Sequence, residues 1–132
     1  MKVLHTAGLV LWRNNKILLA FSRNKKAFYL PGGKVDAGET AITALLREIE
    51  EELSLQLDAG KLSFLTHISA PAFGENEMLM EQDCYVYEDH DLSIQPSSEI
   101  EEVQWFSEDE YLTQEQLVPG VLILFEWLRS IP

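Results

Sequence analysis

The chain has 132 residues, of which 46% are hydrophobic and 24% are charged. This length allows one domain with a real core and is too short for two, so we expect a single domain over residues 1–132. The 10 basic and 22 acidic residues give a net charge of −12, which disfavours unassisted binding to nucleic acid or to an anionic membrane. A polyphosphate ligand would therefore need cations to mediate its binding.

The single cysteine, Cys84, excludes an intramolecular disulfide and favours a reducing cytoplasm over a secreted setting. The N-terminal segment lacks the layout of a signal peptide, because Arg13 and two asparagines follow only a short apolar run. No apolar stretch reaches the roughly 18 residues that a membrane span requires. We therefore expect a cytoplasmic protein that does not bind membranes.

Two β-like runs, at residues 3–12 and 16–22, flank a pair of asparagines that tolerates the backbone of a tight turn. This pattern predicts a β-hairpin. The loop at residues 23–26 is basic, and it is interpreted either as a solvated turn or as a phosphate contact through Arg23. A short strand is predicted at residues 27–30.

A glycine-rich loop then leads into a helix. Gly32 and Gly33 give the backbone freedom for a tight loop with exposed peptide groups. Asp36, Gly38 and Thr40 supply start signals for the helix. Its apolar residues recur at i, i+3, i+4, i+7 and i+11, so they form one stripe that packs on a sheet: Ile42, Leu45, Leu46, Ile49 and Leu53.

The second half of the chain alternates strands and turns and ends in helices. Three strands are expected, at residues 61–70, 78–88 and 102–106. A short capped helix is expected at residues 107–116, and Pro119 begins a terminal helix that runs to about Ser130.

Three glutamates of the first helix, at i, i+3 and i+4, share one side of it away from the apolar stripe: Glu48, Glu51 and Glu52. Like charges at these spacings cost a helix roughly 0.2–0.5 kcal/mol per pair. A hard divalent cation such as Mg²⁺ resolves this repulsion, since it binds carboxylate and carbonyl oxygens while accepting substrate phosphates. For these acids taken alone, a solvated acidic face is the alternative interpretation.

Two further residues support the carboxylates. Arg47 stands four residues before Glu51, close enough to orient a carboxylate. Glu39 lies near the start of the helix and can hold the loop to it.

Six of these residues stand at the spacing G-x5-E-x7-R-E-apolar-x-E-E: Gly33, Glu39, Arg47, Glu48, Glu51 and Glu52. This pattern resembles the signature of the Nudix (MutT-like) pyrophosphohydrolases. The resemblance implies one Nudix hydrolase domain over residues 1–132, with an α/β/α sandwich around a mixed, partly closed sheet. Ser54 departs from the pattern, which usually has glycine there, and this puts the end of the helix in question.

The resemblance implies a loop–helix–loop that binds Mg²⁺ or Mn²⁺ and directs water at a phosphorus atom of a nucleoside diphosphate derivative. It implies Glu51, Glu52 and the Gly32 carbonyl as metal ligands, and Glu48 as a further ligand or as the base that activates water. Arg47 and Glu39 resemble the orienting pair of the catalytic site. A later loop supplies a further base or ligand in some family members, and four glutamates are candidates here: Glu75, Glu77, Glu81 and Glu99.

The expected substrate is a nucleoside triphosphate or a related small nucleotide. A nucleotide-sugar, ADP-ribose or dinucleotide pyrophosphatase is the alternative enzyme, and a nucleotide-binding regulator of the same fold is the alternative without turnover. A calcium-binding module is disfavoured, because the acids lack the alternating spacing of a helix–loop–helix calcium site. The resemblance also allows a homodimer.

Substrate contacts are expected from residues beside the loop and on later strands: Arg23, Tyr29, Leu30, Gly33 and Glu81. Phe28 and Phe73 are further aromatic residues that could stack on a base, with packing as their alternative role. The three histidines have no metal-binding spacing and are expected to be structural or surface residues: His5, His67 and His90.

Overall fold

The computed structural model describes residues 2–89 and 91–131. Its strands are β1 (Lys2–Val10), β2 (Trp12–Arg13), β3 (Lys16–Ser22), β4 (Ala27–Tyr29), β5 (Gly32–Lys34), β6 (Leu62–Pro71), β7 (Met78–Tyr87) and β8 (Ile100–Phe106). Its α-helices are α1 (Ala41–Leu53), α2 (Glu108–Tyr111) and α3 (Pro119–Ser130), and a 3-10 turn lies at Ala59–Lys61. Within the described ranges, no helix is both long and apolar enough to cross a membrane.

The strands form two four-stranded sheets. The first has the order β5-β1-β7-β6 and is mixed, because β1 and β7 are parallel while the other pairs are antiparallel. In the second sheet β3 lies between its neighbours β2 and β4 and also pairs with β8. The predicted α/β class and mixed sheet are confirmed; the sheet is not closed, and its strands are divided between two layers.

The two long helices cover opposite faces of the first sheet. Successive side chains of a strand point to opposite faces, and the buried residues divide accordingly into two clusters. The apolar stripe of α1 packs against one face: Ala7, Leu9, Tyr85 and Tyr87 with Leu45, Ile49 and Leu53. The inner side of α3 packs with the other face and the second sheet: Val10, Ile68, Ala70 and Cys84 with Val121, Leu124, Phe125 and Leu128.

The predicted hairpin is wrong over most of its length. β1 pairs with β5 and β7, and only β2 and the carbonyl of Leu11 reach β3. Residues 6–11 are all buried, which means that both faces of this segment are covered, as in a central strand rather than in one arm of an isolated hairpin. The turn itself is present, since Asn14 and Asn15 have φ angles of 53° and 63°.

Helix α1 begins after the start signals that the sequence supplies, and it ends before Ser54, the residue that put its end in question. The Thr40 side chain accepts a hydrogen bond from the Thr43 amide at the N-terminus. The helix ends at Leu53 because Ser54 adopts the left-handed conformation (φ 57°, ψ 36°), and its amide donates to the carbonyl of Glu50. Serine thus takes the position that usually requires glycine, and it carries the backbone strain of that conformation.

Candidate active site

The glycine loop meets α1 through a buried carboxylate. The amide of Gly32 donates a 3.0 Å hydrogen bond to Oε1 of Glu52, whose relative exposure is 5%. Gly32 has a φ of +136°, and a Cβ atom there would lie 2.0 Å from the carbonyl oxygen of Ala7. Only glycine fits this position, because β5 pairs closely with β1 through Gly8 and Gly32.

The second glycine of the loop makes room for another carboxylate. A Cβ atom at Gly33 would lie 2.4 Å from Cδ of Glu48. The Glu48 side chain is therefore packed directly over the loop backbone, with 16% of its surface exposed. The two glycines bring the loop into contact with two glutamates of α1 that lie one helical turn apart.

Arg47 connects the loop to the helix. Its Nε and Nη2 atoms both donate to the carboxylate of Glu39, each over 2.9 Å. Nη1 donates to Oε1 of Glu48 over 2.8 Å, and Nη2 also donates to the carbonyl of Lys34 over 3.1 Å. Two exposed acids lie farther from the guanidinium: Asp36 at 3.3 Å and Glu51 at 3.6 Å. These contacts place Arg47 and Glu39 as expected for an orienting pair, whose catalytic role stays a prediction.

The glutamates of the site have opposite electrostatic environments. Hydrogen bonds from Arg47 lower the pKa of Glu39 to about 2. Burial raises the pKa of Glu52 to about 8, and the charges of Glu48, Glu99 and Glu51 add to this effect. Burial also raises the pKa of Glu48, even though the hydrogen bond from Arg47 opposes it. Buried and mutually repelling carboxylates are the groups that a bound cation would stabilise.

The donor chemistry of this cluster fits a hard divalent cation, since its ligating atoms are carboxylate and carbonyl oxygens. Among residues 2–89 and 91–131, no three acidic, histidine or cysteine side chains converge closely enough to hold a metal as they stand. The carboxylates must therefore turn toward one another to share an ion, which the long side chains of Glu48, Glu51 and Glu52 allow.

A segment near residue 97 closes the C-terminal end of α1, and sequence reasoning missed this role. The amides of Gln95 and Ser97 donate to the carbonyls of Leu53 and Glu52 over 3.0 and 2.9 Å. The Ser97 hydroxyl donates to the carbonyl of Glu51. Three carbonyls that the helix end leaves without internal partners are thus satisfied. The signal in the sequence is the polar pair of serines before Glu99, whose distant partners no local pattern identifies.

Arg23 holds the same segment. Its Nη1 donates to the carbonyl of Ser98 over 3.0 Å, and its amide donates to the carbonyl of Glu99 over 2.9 Å. Asn24 contacts the Glu99 carboxylate at 3.3 Å. A cavity lined by residues of both sheets and by Glu52 lies nearby. Arg23, which was predicted to contact substrate, does not line this cavity; it fixes the backbone that carries Glu99.

The four candidate loop glutamates occupy different places. Glu99 and Glu75 line the cavity, and Glu75 forms a 2.8 Å ion pair with Lys25. Glu81 contacts His67 and Ser69 instead, on the face of β7 opposite to the cavity-lining residues Met80 and Gln82. Glu77 lies in the turn before β7 and does not line the cavity. Of the four, Glu99 influences Glu48 and Glu52 most directly, because its charge raises the pKa of both.

The other residues predicted to contact substrate also divide into those that line the cavity and those that do not. Tyr29, Leu30, Gly33 and Phe73 line the cavity, which lies between the two sheets and opens beside Glu52. Phe28 does not line it: its ring packs in the core against Phe21 and Phe106, with centroids at 5.0 and 4.8 Å. His5 and His67 are exposed, as predicted for surface residues, and His90 lies outside the described residues.

The chain belongs to the NUDIX domain family, whose profile matches residues 3–128. Its fold is similar to that of a MutT NUDIX hydrolase from Burkholderia pseudomallei, with a TM-score of 0.75 and 23% identity over 100% of both chains. The Nudix-type fold expected from the sequence is thereby confirmed.

Two curated relatives share shorter segments with the chain. An ADP-ribose pyrophosphatase of Methanocaldococcus jannaschii is 47% identical over 49 residues, which cover 35% of this chain and 29% of that protein. An RNA pyrophosphohydrolase of Francisella tularensis subsp. mediasiatica is 35% identical over 52 residues, which cover 39% of this chain and 34% of that protein. The chain thus matches about a third of the length of each.

Proposed function

We propose that this protein is a divalent-metal-dependent pyrophosphohydrolase that cleaves a nucleoside triphosphate, or a related small nucleoside diphosphate derivative, by water attack on phosphorus. The observation that carries the proposal is the buried carboxylate of Glu52. It is held by the Gly32 amide at the edge of a cavity and is influenced by three other glutamates. Family membership and the names of the two pyrophosphatase relatives support it.

In the proposed site, Glu48, Glu51, Glu52 and the Gly32 carbonyl hold Mg²⁺ or Mn²⁺. When bound, such an ion neutralises phosphate charge and lowers the pKa of coordinated water. The chain's own groups set the geometry. Gly32 fixes Glu52 through its amide, and Arg47 fixes Glu48 while Glu39 holds the guanidinium in place.

The proton of the attacking water needs an acceptor. We favour Glu99 among the candidates, because it lines the cavity and its charge influences both Glu48 and Glu52. Its backbone is fixed by Arg23 and by the segment that closes α1. We therefore assign Glu99 the role of general base or additional ligand, with Glu48 as the alternative base.

The proposal includes a cytoplasmic location and allows a homodimer. Cys84 is a free, buried thiol, and burial raises its pKa to about 12. It therefore has little thiolate character, in keeping with a structural role in the core.

A substrate screen tests the proposal. The protein is incubated with canonical and oxidised nucleoside triphosphates, nucleotide sugars, ADP-ribose and dinucleoside polyphosphates, with Mg²⁺, Mn²⁺ or EDTA, and the release of phosphate and pyrophosphate is measured. We expect hydrolysis of at least one substrate that requires the metal. Nucleotide binding without any metal-dependent turnover would instead identify the regulator of the same fold.

Two variants test whether Glu99 is the general base. Glu99→Gln should lower kcat by about 10²-fold or more, as expected for loss of a general base. Glu77→Gln is the matched control, since Glu77 is a loop glutamate that does not line the cavity. Equal rates in the two variants would remove Glu99 from the reaction and leave Glu48 as the base.

A further inference from the structure

The carboxylates proposed to hold the metal lie where a helix is least constrained. Glu51 and Glu52 belong to the last turn of α1, which ends at Leu53. The last four carbonyls of a helix have no partner within it, and helix ends fray. Fraying at this end would displace both carboxylates together. A residue that restrains this turn therefore also determines where the two carboxylates lie.

Ser97 restrains this turn through two of its groups. Its hydroxyl donates to the carbonyl of Glu51, and its amide donates to the carbonyl of Glu52 over 2.9 Å. The amide of Gln95 adds a third hydrogen bond, to the carbonyl of Leu53 over 3.0 Å. One residue outside the helix thus holds the backbone of both carboxylate residues.

Glu99 lies two residues after Ser97, so the Cα atoms of the two residues are at most about 7 Å apart. The amide of Ile100 donates to the carbonyl of Ser97 over 3.1 Å, which closes a turn across residues 97–100. Within this turn Ser98 has a φ of 59°. This left-handed conformation is unfavourable for serine and persists where surrounding contacts impose it. The turn that carries Glu99 is therefore held in one shape.

The far end of this turn is fixed to the second sheet. Arg23, the residue after β3, donates from Nη1 to the carbonyl of Ser98 over 3.0 Å and from its amide to the carbonyl of Glu99 over 2.9 Å. The side-chain amide of Asn24 donates to the Glu99 carboxylate over 3.3 Å. Residues 97–99 thus connect the C-terminal end of α1 with the end of β3.

We propose that Ser97 is a positioning residue, whose hydroxyl holds Glu51 and Glu52 in place relative to Glu99. The inference rests on the proposed function, because it takes Glu51 and Glu52 to be metal ligands. Ser97 itself contacts neither metal nor substrate in this proposal, since it binds only the backbone of the ligand residues. Loss of its hydroxyl lets the last turn of α1 move away from the turn that carries Glu99.

Amide hydrogen exchange in EDTA tests the contact in the metal-free protein. Ser97→Ala removes the hydroxyl and keeps the amide, so we expect the amides of residues 51–54 to exchange about 3- to 10-fold faster, the effect of one hydrogen bond. Ser130→Ala is the matched control, because the Ser130 hydroxyl donates to the carbonyl of Trp127 at the end of α3 over 2.6 Å. It should leave exchange in α1 unchanged. Equal exchange in the wild type and Ser97→Ala would overturn the proposal.

Mn²⁺ binding, measured by electron paramagnetic resonance, tests whether the contact affects the carboxylates. We expect the Kd for Mn²⁺ to rise about 10-fold in Ser97→Ala, the lower end of the range for residues that orient metal ligands, and to stay unchanged in Ser130→Ala. At saturating metal, kcat and kcat/KM should decrease together by a similar factor. Ser97→Thr keeps the hydroxyl and should recover most of the affinity and rate. Values as low as those of Ser97→Ala would contradict a role for the hydroxyl. Ser97→Cys, which has a weaker donor, replaces the alanine variant if that variant does not fold.

The outcomes distinguish the positioning role from the proposed reaction. Weaker Mn²⁺ binding in Ser97→Ala, in a protein that hydrolyses no substrate, supports the positioning role and contradicts the hydrolase. Metal-dependent turnover with Mn²⁺ affinity and kcat unchanged in Ser97→Ala contradicts the positioning role and supports the hydrolase. A wild type that binds no Mn²⁺ contradicts both. A lower melting temperature with unchanged affinity and kcat would show that Ser97 is only structural.

Discussion

Two acidic regions of α1 and its loop differ in what neutralises them. Around Arg47, the carboxylates of Glu39 and Glu48 accept hydrogen bonds from a guanidinium over 2.8–2.9 Å. Around Glu52, the contact that the structure shows is a neutral amide, that of Gly32. The pKa of Glu39 accordingly lies at about 2, whereas burial raises that of Glu52 to about 8.

This difference distinguishes the residues that hold the loop to the helix from those proposed to bind the metal. In the Arg47 region the guanidinium neutralises Glu39, and this pair fixes the shape of the loop and helix. Glu48 belongs to both regions, because Arg47 holds it while burial raises its pKa. The Glu52 region holds a buried carboxyl whose ionised form is unfavourable without a cation. Five predictions follow, from the largest expected effect to the smallest, and the first four test this division.

Glu52→Gln should have the largest effect. The neutral amide of glutamine cannot balance the charge of a divalent ion, and loss of metal stabilisation worth several kcal/mol corresponds to a decrease in kcat of about 10³-fold. Phosphate release with saturating Mg²⁺ measures it. Glu50→Gln is the matched control, because Glu50 is exposed and lies on another side of α1. Similar rates in the two variants would place the metal elsewhere.

The same substitution should change the pH dependence of stability in EDTA. Because the folded-state pKa of Glu52 is raised from 4.5 to about 8, its contribution to stability is fully present below about pH 4.5 and is lost as the pH rises to about 8. Glu52→Gln removes this loss. Urea denaturation at several pH values measures it, and parallel profiles for the wild type and the variant would contradict the raised pKa.

Gly33→Ala should lower kcat by about 10²-fold, the cost of displacing a reacting group by about 1 Å. The new methyl group occupies the place of the Glu48 carboxylate, 2.4 Å from its Cδ atom. Gly38→Ala is the contrasting variant, since nothing lies within 4 Å of the added atom and only its φ of +85° is unfavourable. We expect Gly38→Ala to cost about 1 kcal/mol of stability and to keep its rate. A full rate in Gly33→Ala would show that Glu48 can move without consequence.

Arg47→Lys should lower kcat about 10-fold, the lower end of the range for groups that orient metal ligands. Lysine keeps the charge but cannot make the two parallel hydrogen bonds to Glu39 while also contacting Glu48. Steady-state kinetics and Mg²⁺ titration measure the effect. Arg129→Lys is the control, because Arg129 forms an exposed ion pair with Glu108 at 2.8 Å, and such pairs contribute little. An equal response of both variants would contradict an orienting role for Arg47.

Ser54→Gly should have the smallest effect, a stabilisation of up to about 1 kcal/mol. Glycine adopts the left-handed conformation of residue 54 without the strain of a side chain, although its freer unfolded state offsets part of the gain. Denaturant midpoints measure the change. Destabilisation would instead show that the 3.4 Å contact between Ser54 and Ser97 contributes more than the strain costs.

Local spacing predicted the parts of the molecule that depend on one helix. The buried side of α1 and the proximity of Arg47 to Glu51, at 3.6 Å, follow from 3.6 residues per turn, and Leu45, Ile49 and Leu53 are fully buried as expected. The bounds of α3 follow from Pro119 in the same way.

Pairing over long distances in the sequence could not be predicted. β1 pairs with β5 and β7, which are more distant in sequence than β3. The hairpin prediction failed because it considered only residues 16–22, the next β-like run along the chain. Arg23 and Ser97 have polar side chains that suit a ligand or a solvated loop, and only the folded chain shows that they bind the backbone around Glu99 and the end of α1. Strand alternation directs Glu81 away from the cavity, and its predicted substrate contact stays a prediction.

The parallel pairing of β1 with β7 has a consequence for folding. The paired residues are more than half the chain length apart, and contacts of such wide separation form late and slowly. Paired residues such as Thr6 and Gln82 can therefore meet only after synthesis has passed β7. Until then the nascent first strand exposes unpaired backbone groups and apolar side chains, which makes it the segment that we expect to need protection from aggregation during synthesis.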